Sequence, residues 1–149
     1  MRRIHLLLHS LLTPNKNVVI GQKYGEHCFM GCELSINYVD FNDMGLALRK
    51  VEPCQSKLRA ISLYLCIDEY CSDQGKEEWL WATNKTCQLI ANTSMPPYDI
   101  IAEYGPDRRA ALRRVSAAEA FAHPLMKEPW LPDGPFFTRA FKTIVWLPA

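Results

Sequence analysis

Glycine is scarce in this 149-residue chain, with seven in all. None of them falls in a Gly-rich phosphate loop, a dinucleotide cradle or a Gly-x-Ser-x-Gly elbow. There is no His-Glu-x-x-His pair either, so the common signatures of nucleotide-driven, hydrolase and zinc-protease chemistry are missing. No apolar run approaches the ~20 residues that span a bilayer, which excludes a membrane span in this sequence. Charge of one sign is lacking too: the formal net charge is +1, so there is no electrostatic case for nucleic acid or an anionic surface. No Cys-x-x-Cys occurs, and Cys-x3-Cys and Cys-x4-Cys are poor zinc spacings with His27 the only nearby histidine.

What is present is a 48% hydrophobic, 22% charged chain, the composition of one globular domain. Its six cysteines, Cys28, Cys32, Cys54, Cys66, Cys71 and Cys87, are an even set, and disulfides outweigh a metal site on those spacings. The sequence cannot choose among the pairings. Residues 1–23 read as a signal peptide and connector: Arg2 and Arg3 precede an apolar run from Ile4 to Leu12, interrupted by His5 and His9. Asn84-Lys85-Thr86 and Asn92-Thr93-Ser94 match the N-glycosylation pattern, making Asn84 and Asn92 candidate acceptors. Leader, cysteines and acceptors agree on an oxidising, extracellular setting reached through the secretory pathway.

Residues 24–94 form a cysteine-rich helical domain in this reading. Cys28 and Cys32, four apart, share one face of a helix that Phe29, Leu34 and Ile36 would supply with core. The segment 55–70 carries Leu58, Ile61, Tyr64 and Leu65 at helical spacing, with Cys66 on or beside that stripe. Ser72 and Asp73 would cap a second helix bearing Trp79, Leu80, Thr83 and Cys87, giving a hairpin in which Cys66 or Cys71 could reach Cys87. Residues 95–149 read as a helix plus a proline- and aromatic-rich tail packing on it. "YDIIAEY" would be strand or extended, and "RRAALRRVSAAEAFAH" a single helix with Ala111, Leu112, Val115, Ala118 and Phe121 inward. Arg108, Arg109, Arg113 and Arg114 fall on its outer side, as a solvated face rather than a phosphate site. The tail's aromatics would fold back over the helices or contact a partner or membrane-proximal surface. The fold class is therefore mainly α: a small disulfide-stapled helical domain with a proline-rich irregular C-terminal segment.

No nucleophile–base–orienter set can be assembled, and no metal-ligating set is identifiable. Asp68-Glu69 point about 100° apart on a helix, and with Glu77 and Glu78 they read as a solvated edge. His27 could lower a thiol pKa only if Cys28 were unpaired.

Taken together, "CFMGC", "SLYLCIDEYCSDQG", "ATNKTC", "ANTSMPPYDIIAEY" and "PDGPFFTRAFKTI" resemble the N-terminal extracellular region of fungal ferric reductase-like transmembrane proteins. The resemblance covers roughly residues 24–144. It implies a cysteine-rich, glycosylated ectodomain ahead of a haem-bearing membrane bundle and cytosolic FAD and NADPH domains. None of those cofactors is expected in this chain: paired haem histidines and the nicotinamide segment are missing. His123-Pro124 departs from the family's flavin signature, since Leu125 and Met126 follow. The expectation is a non-catalytic ectodomain fragment. The alternative is an independent small secreted cysteine-rich binding or effector protein.

Overall fold

The computed structural model describes residues 25–44 and 52–145. The leader, with His5 and His9, and the ending "WLPA" lie outside the described residues. The described elements are α1 Gly25–Ile36, β1 Asp40–Phe41, α2 Glu52–Gln55, α3 Lys57–Tyr70 and α4 Lys76–Ala91. A 3-10 helix Tyr98–Glu103 follows, then α5 Pro106–Ala110, β2 Arg114–Val115, α6 Ala117–Phe121, β3 Leu125–Met126, β4 Leu131–Pro132 and α7 Gly134–Val145. The fold is mainly helical. Its strands are two-residue parallel ladders, β1 with β3 and β2 with β4.

Helix α3 organises the rest. Its start is capped twice: Ser56 Oγ accepts the Arg59 amide proton at 3.0 Å and itself donates to Asp43 Oδ1 at 2.6 Å, while the Leu58 amide donates to Asp43 Oδ2. The helix has no polar face in the middle. Ala60 through Ile67 are all buried, because α1, the 3-10 helix and the β4 segment pack around it. The single stripe expected from Leu58, Ile61, Tyr64 and Leu65 is thus too narrow, and Leu58 is only half-buried. An amphipathic period describes a helix with one wet side.

Helix α1 lies antiparallel to α3 and pairs most extensively with α7. Gly31 allows that second contact: a Cβ built there would stand 3.2 Å from the Phe141 Cα, closer than side-chain carbon normally sits to backbone. Gly31→Ala is expected to cost about 1–3 kcal/mol by pushing α7 off α1, read as a lower denaturation midpoint.

Three expected elements differ. Helix α4 is capped by Gly75 in the left-handed region (φ 76), with no side-chain cap, so Ser72 and Asp73 do not serve as its N-cap. "YDIIAEY" is a 3-10 helix with Ile101 buried, neither strand nor extended. The expected helix over "RRAALRRVSAAEAFAH" is broken: α5 stops at Ala110, Arg114–Val115 bridge to β4, and α6 begins after the Ser116 cap. Val115 is buried as expected, Leu112 is half-buried, and Ala111, Ala118 and Phe121 are exposed. High helix propensity yields here to Val115, which gains more in the core than helical hydrogen bonds would return.

The core draws on both sides of residue 94. One cluster surrounds the cysteines and includes Leu131, Phe137 and Phe141; another gathers Ile36, Val39, Phe41, Val115, Met126, Trp130 and Phe136. The tail is less irregular than expected. It passes through β4 and α7, and its aromatics Trp130, Phe136, Phe137 and Phe141 are buried in the chain's own core. Those four side chains are therefore not available to an outside partner.

Candidate functional site

All six cysteines are paired: Cys28–Cys71, Cys32–Cys66 and Cys54–Cys87. The Cα–Cα separations of 5.8, 5.8 and 5.5 Å lie within the span a bridge requires. On α1 the partners are four residues apart, so both sulfurs leave the same face. On the other side Cys66 is inside α3 and Cys71 is its C-cap in extended conformation, which lets a spacing of five meet a spacing of four. The hairpin expected to be closed by Cys66 or Cys71 reaching Cys87 is not bridged. Cys87 instead ties α4 to Cys54 on α2, because Cys66 and Cys71 are turned toward α1. With Cys28 in a bridge, His27 has no thiolate to activate.

The exposed end of α3 carries Asp68 and Glu69, which the sequence suggested were solvated. Both are occupied. Arg109 Nη1 donates to Asp68 Oδ2 and its Nε to the Tyr104 carbonyl at 2.7 Å, while Tyr98 Oη donates to Asp68 Oδ1 at 3.2 Å. Arg114 Nη1 donates to Glu69 Oε1 at 2.6 Å. The remaining two arginines are also engaged: Arg113 pairs with Glu119 at 2.6 Å, and Arg108 lies over the Tyr104 ring at 3.9 Å from its centroid. The four arginines thus do not gather into a phosphate cluster: Arg109 and Arg114 strap their segment onto α3, while Arg108 and Arg113 stay exposed with partners in their own segment.

Three tyrosines support that arrangement. Tyr64 Oη donates to the Pro96 carbonyl at 2.6 Å, and Tyr70 Oη to the Pro132 carbonyl at 2.9 Å with its ring stacked on Phe137. Burial pushes the Tyr64 hydroxyl up to about 12, partly opposed by the nearby Arg59 guanidinium. Burial also raises Tyr70 and Tyr98, the latter helped by the Asp68 carboxylate. An unfolded tyrosine ionises near 10, so the folded state holds fewer charged phenols above that pH. The stabilising contribution is complete below pH ~10 and is lost as pH rises toward 12. Spectrophotometric titration should accordingly show these three ionising late in the folded chain, and together near the ordinary value in denaturant.

Among the described residues Arg59 is the buried charged side chain. Its Nε and Nη2 both donate to Asn37 Oδ1, at 3.1 and 2.9 Å, and Glu33 stands 3.5 Å away. Burial lowers its pKa, and Glu33 works against that shift. It joins the end of α1 to the start of α3 in a structural role that the sequence did not signal. His123, with φ 50, places Nδ1 2.9 Å from the Tyr38 carbonyl, which gives the His123-Pro124 pair a turn-holding role.

Among the described residues no group of three His, Cys, Asp or Glu side chains is placed to hold a metal ion. Glu78 and Glu26 line an open groove with Phe29, Gly75, Trp79 and Ala82. Within the same residues, no helix is long and apolar enough to cross a membrane. The two glycosylation candidates differ. Asn84 is half-buried inside α4, with Oδ1 accepting the Met95 amide proton at 2.8 Å; Asn92 is exposed at the C-cap of α4.

Comparison with family models, with curated proteins and with solved structures finds no match.

Proposed function

We propose that this chain is a non-catalytic, disulfide-locked extracellular domain, the outer part of a fungal ferric or metalloreductase-like membrane protein, without reductase activity of its own. The observation that carries the reading is the complete pairing of six buried cysteines within a mainly helical fold, which suits an oxidising compartment. Several chemistry-bearing side chains have structural partners, which supports the reading. The cysteines are bridged, Asp68 and Glu69 are held by arginines, and His123 braces a turn. Assignment to the reductase-like parent rests on the quoted residue blocks, above all "SLYLCIDEYCSDQG" and "ATNKTC". Haem, FAD and NADPH belong to other parts of that parent. The independent secreted binding protein is the second reading, and it is favoured by the exposed apolar side chains Trp81, Leu89 and Ile90.

Two measurements test the proposal. Intact mass with non-reducing alkylation of chain secreted from a eukaryotic host should show six hydrogens missing; six free thiols would reject an extracellular domain. Purified chain should leave a ferric chelate unreduced, and turnover without added haem or flavin would overturn the non-catalytic assignment. Coding sequence directly downstream with membrane spans and paired histidines would separate the reductase parent from a free-standing protein.

A further inference from the structure

The solvent face of α4 poses a problem for a secreted domain. Trp81 is 65% exposed and Leu89 85% exposed, and both belong to a row with Lys85 at four-residue spacing. Lys85 Nζ hangs 5.7 Å from the Trp81 ring centroid, so the row is continuous along the helix. Single exposed apolar residues are ordinary, but a tryptophan and a leucine aligned on one solvent-facing row are not.

Asn92 stands at the end of the same row, three residues beyond Leu89. It is exposed and caps the helix with φ 47 and ψ 39, and Thr93 and Ser94 continue outside the helix. This left-handed conformation suits asparagine among non-glycine residues. Asn84 is held the other way, inside α4 with its carboxamide oxygen bound to the Met95 amide.

We infer that Asn92, and not Asn84, carries an N-linked oligosaccharide whose first sugars lie back along Leu89, Lys85 and Trp81 and cover that row. The inference rests on the extracellular reading above. In the transfer step Asn92 Nδ2 attacks C1 of an N-acetylglucosamine carried on a polyprenyl diphosphate. The Nδ2–C1 bond forms, the C1–O bond breaks with its electron pair leaving on the diphosphate, and Nδ2 gives one proton to the transferase's base. From Asn92 to Trp81 the helix rises about 16 Å, a distance the first few pyranose rings can span. The fit is chemical as well as geometric. Pyranose rings present C–H faces to the negatively polarised face of an indole and hydroxyls to water, and the Lys85 ammonium is a donor for ring and hydroxyl oxygens.

The experiment uses full chain secreted from a eukaryotic host, with peptide mapping by mass spectrometry, then glycosidase treatment of the folded protein. The expected map shows sugar on Asn92 and a bare Asn84. Deglycosylation should raise the fluorescence of bound anilinonaphthalene sulfonate by roughly threefold or more. The rise should vanish in a Trp81→Ser, Leu89→Ser variant, whose circular dichroism verifies folding. Several results would overturn the inference: a bare Asn92 on secreted, fully bridged chain, sugar on Asn84, or dye binding indifferent to deglycosylation. A glycosylated chain that sediments as a dimer through Trp81 would likewise reject it, assigning the face to a second copy. A reduced, unsecreted chain removes the extracellular reading and this inference together, whereas a bridged, secreted chain lacking sugar at Asn92 removes only this one.

Discussion

Reduction and alkylation of the three bridges should unfold the chain at neutral pH and room temperature, with loss of helical circular dichroism and of any cooperative transition. Cys32–Cys66 closes a separation of 34 residues and in isolation contributes about 4 kcal/mol by the chain-entropy account. Cys28–Cys71 is nested outside it with a separation of 43. Once the inner bridge exists, the outer one closes an effective loop of only roughly ten residues and adds about 3 kcal/mol. Removing either nested bridge therefore costs about 3 kcal/mol, and removing both about 6–7. The double loss slightly exceeds the sum, because each bridge shortens the loop that the other must close. Cys54–Cys87, with a separation of 33, interleaves with both and secures α4. The total is comparable to the ~5–15 kcal/mol by which domains are stable at all. Cys→Ala pairs are the right probes, since Cys28, Cys32 and Cys66 are fully buried and a serine hydroxyl there would lack a partner. A sharp two-state transition surviving full reduction would show that apolar packing alone holds the fold.

Trp130→Ala should cost about 3–5 kcal/mol, read by denaturant unfolding of the oxidised chain. Trp130 is completely buried, and its ring lies nearly parallel to Phe136 (5° between planes, centroids 6.5 Å apart). Its backbone amide donates to Ser62 Oγ at 3.1 Å, so the residue pins the proline-rich segment to the middle of α3. The bridges do not compensate, since they join α1, α2, α3 and α4 and leave residues 95–145 held by packing and the arginine strap. The indole Nε1 is buried with no hydrogen-bond acceptor among the described residues. Trp130→Phe removes that unsatisfied donor along with some ring volume, so its cost should be clearly smaller, about 1–2 kcal/mol. Equal losses for the two variants would argue against a role for packing volume here.

Much of this architecture follows from local chemistry. Composition and residue spacing determine the mainly helical class and the cores of α1, α3 and α4. The even cysteine set, with two of its members one helical turn apart on α1, points to bridges rather than to a metal. Tertiary structure decided the rest. Which cysteines meet depends on how α1 and α2 dock against α3 and α4, and local spacing is silent on that. An alanine-rich stretch that reads as one helix is interrupted between Ala110 and Ala117, because burial of Val115 and its pairing with Pro132 outweigh a fraction of a kcal/mol per residue of propensity. Asp68, Glu69, Arg109 and Arg114 look solvated in sequence, since their partners lie about forty residues away along the chain. Asn84 and Asn92 share a motif, and only the fold turns one against Met95 and the other into solvent. Helix and bridge tendencies are properties of neighbours along the chain; pairing, burial and exposure belong to neighbours in space.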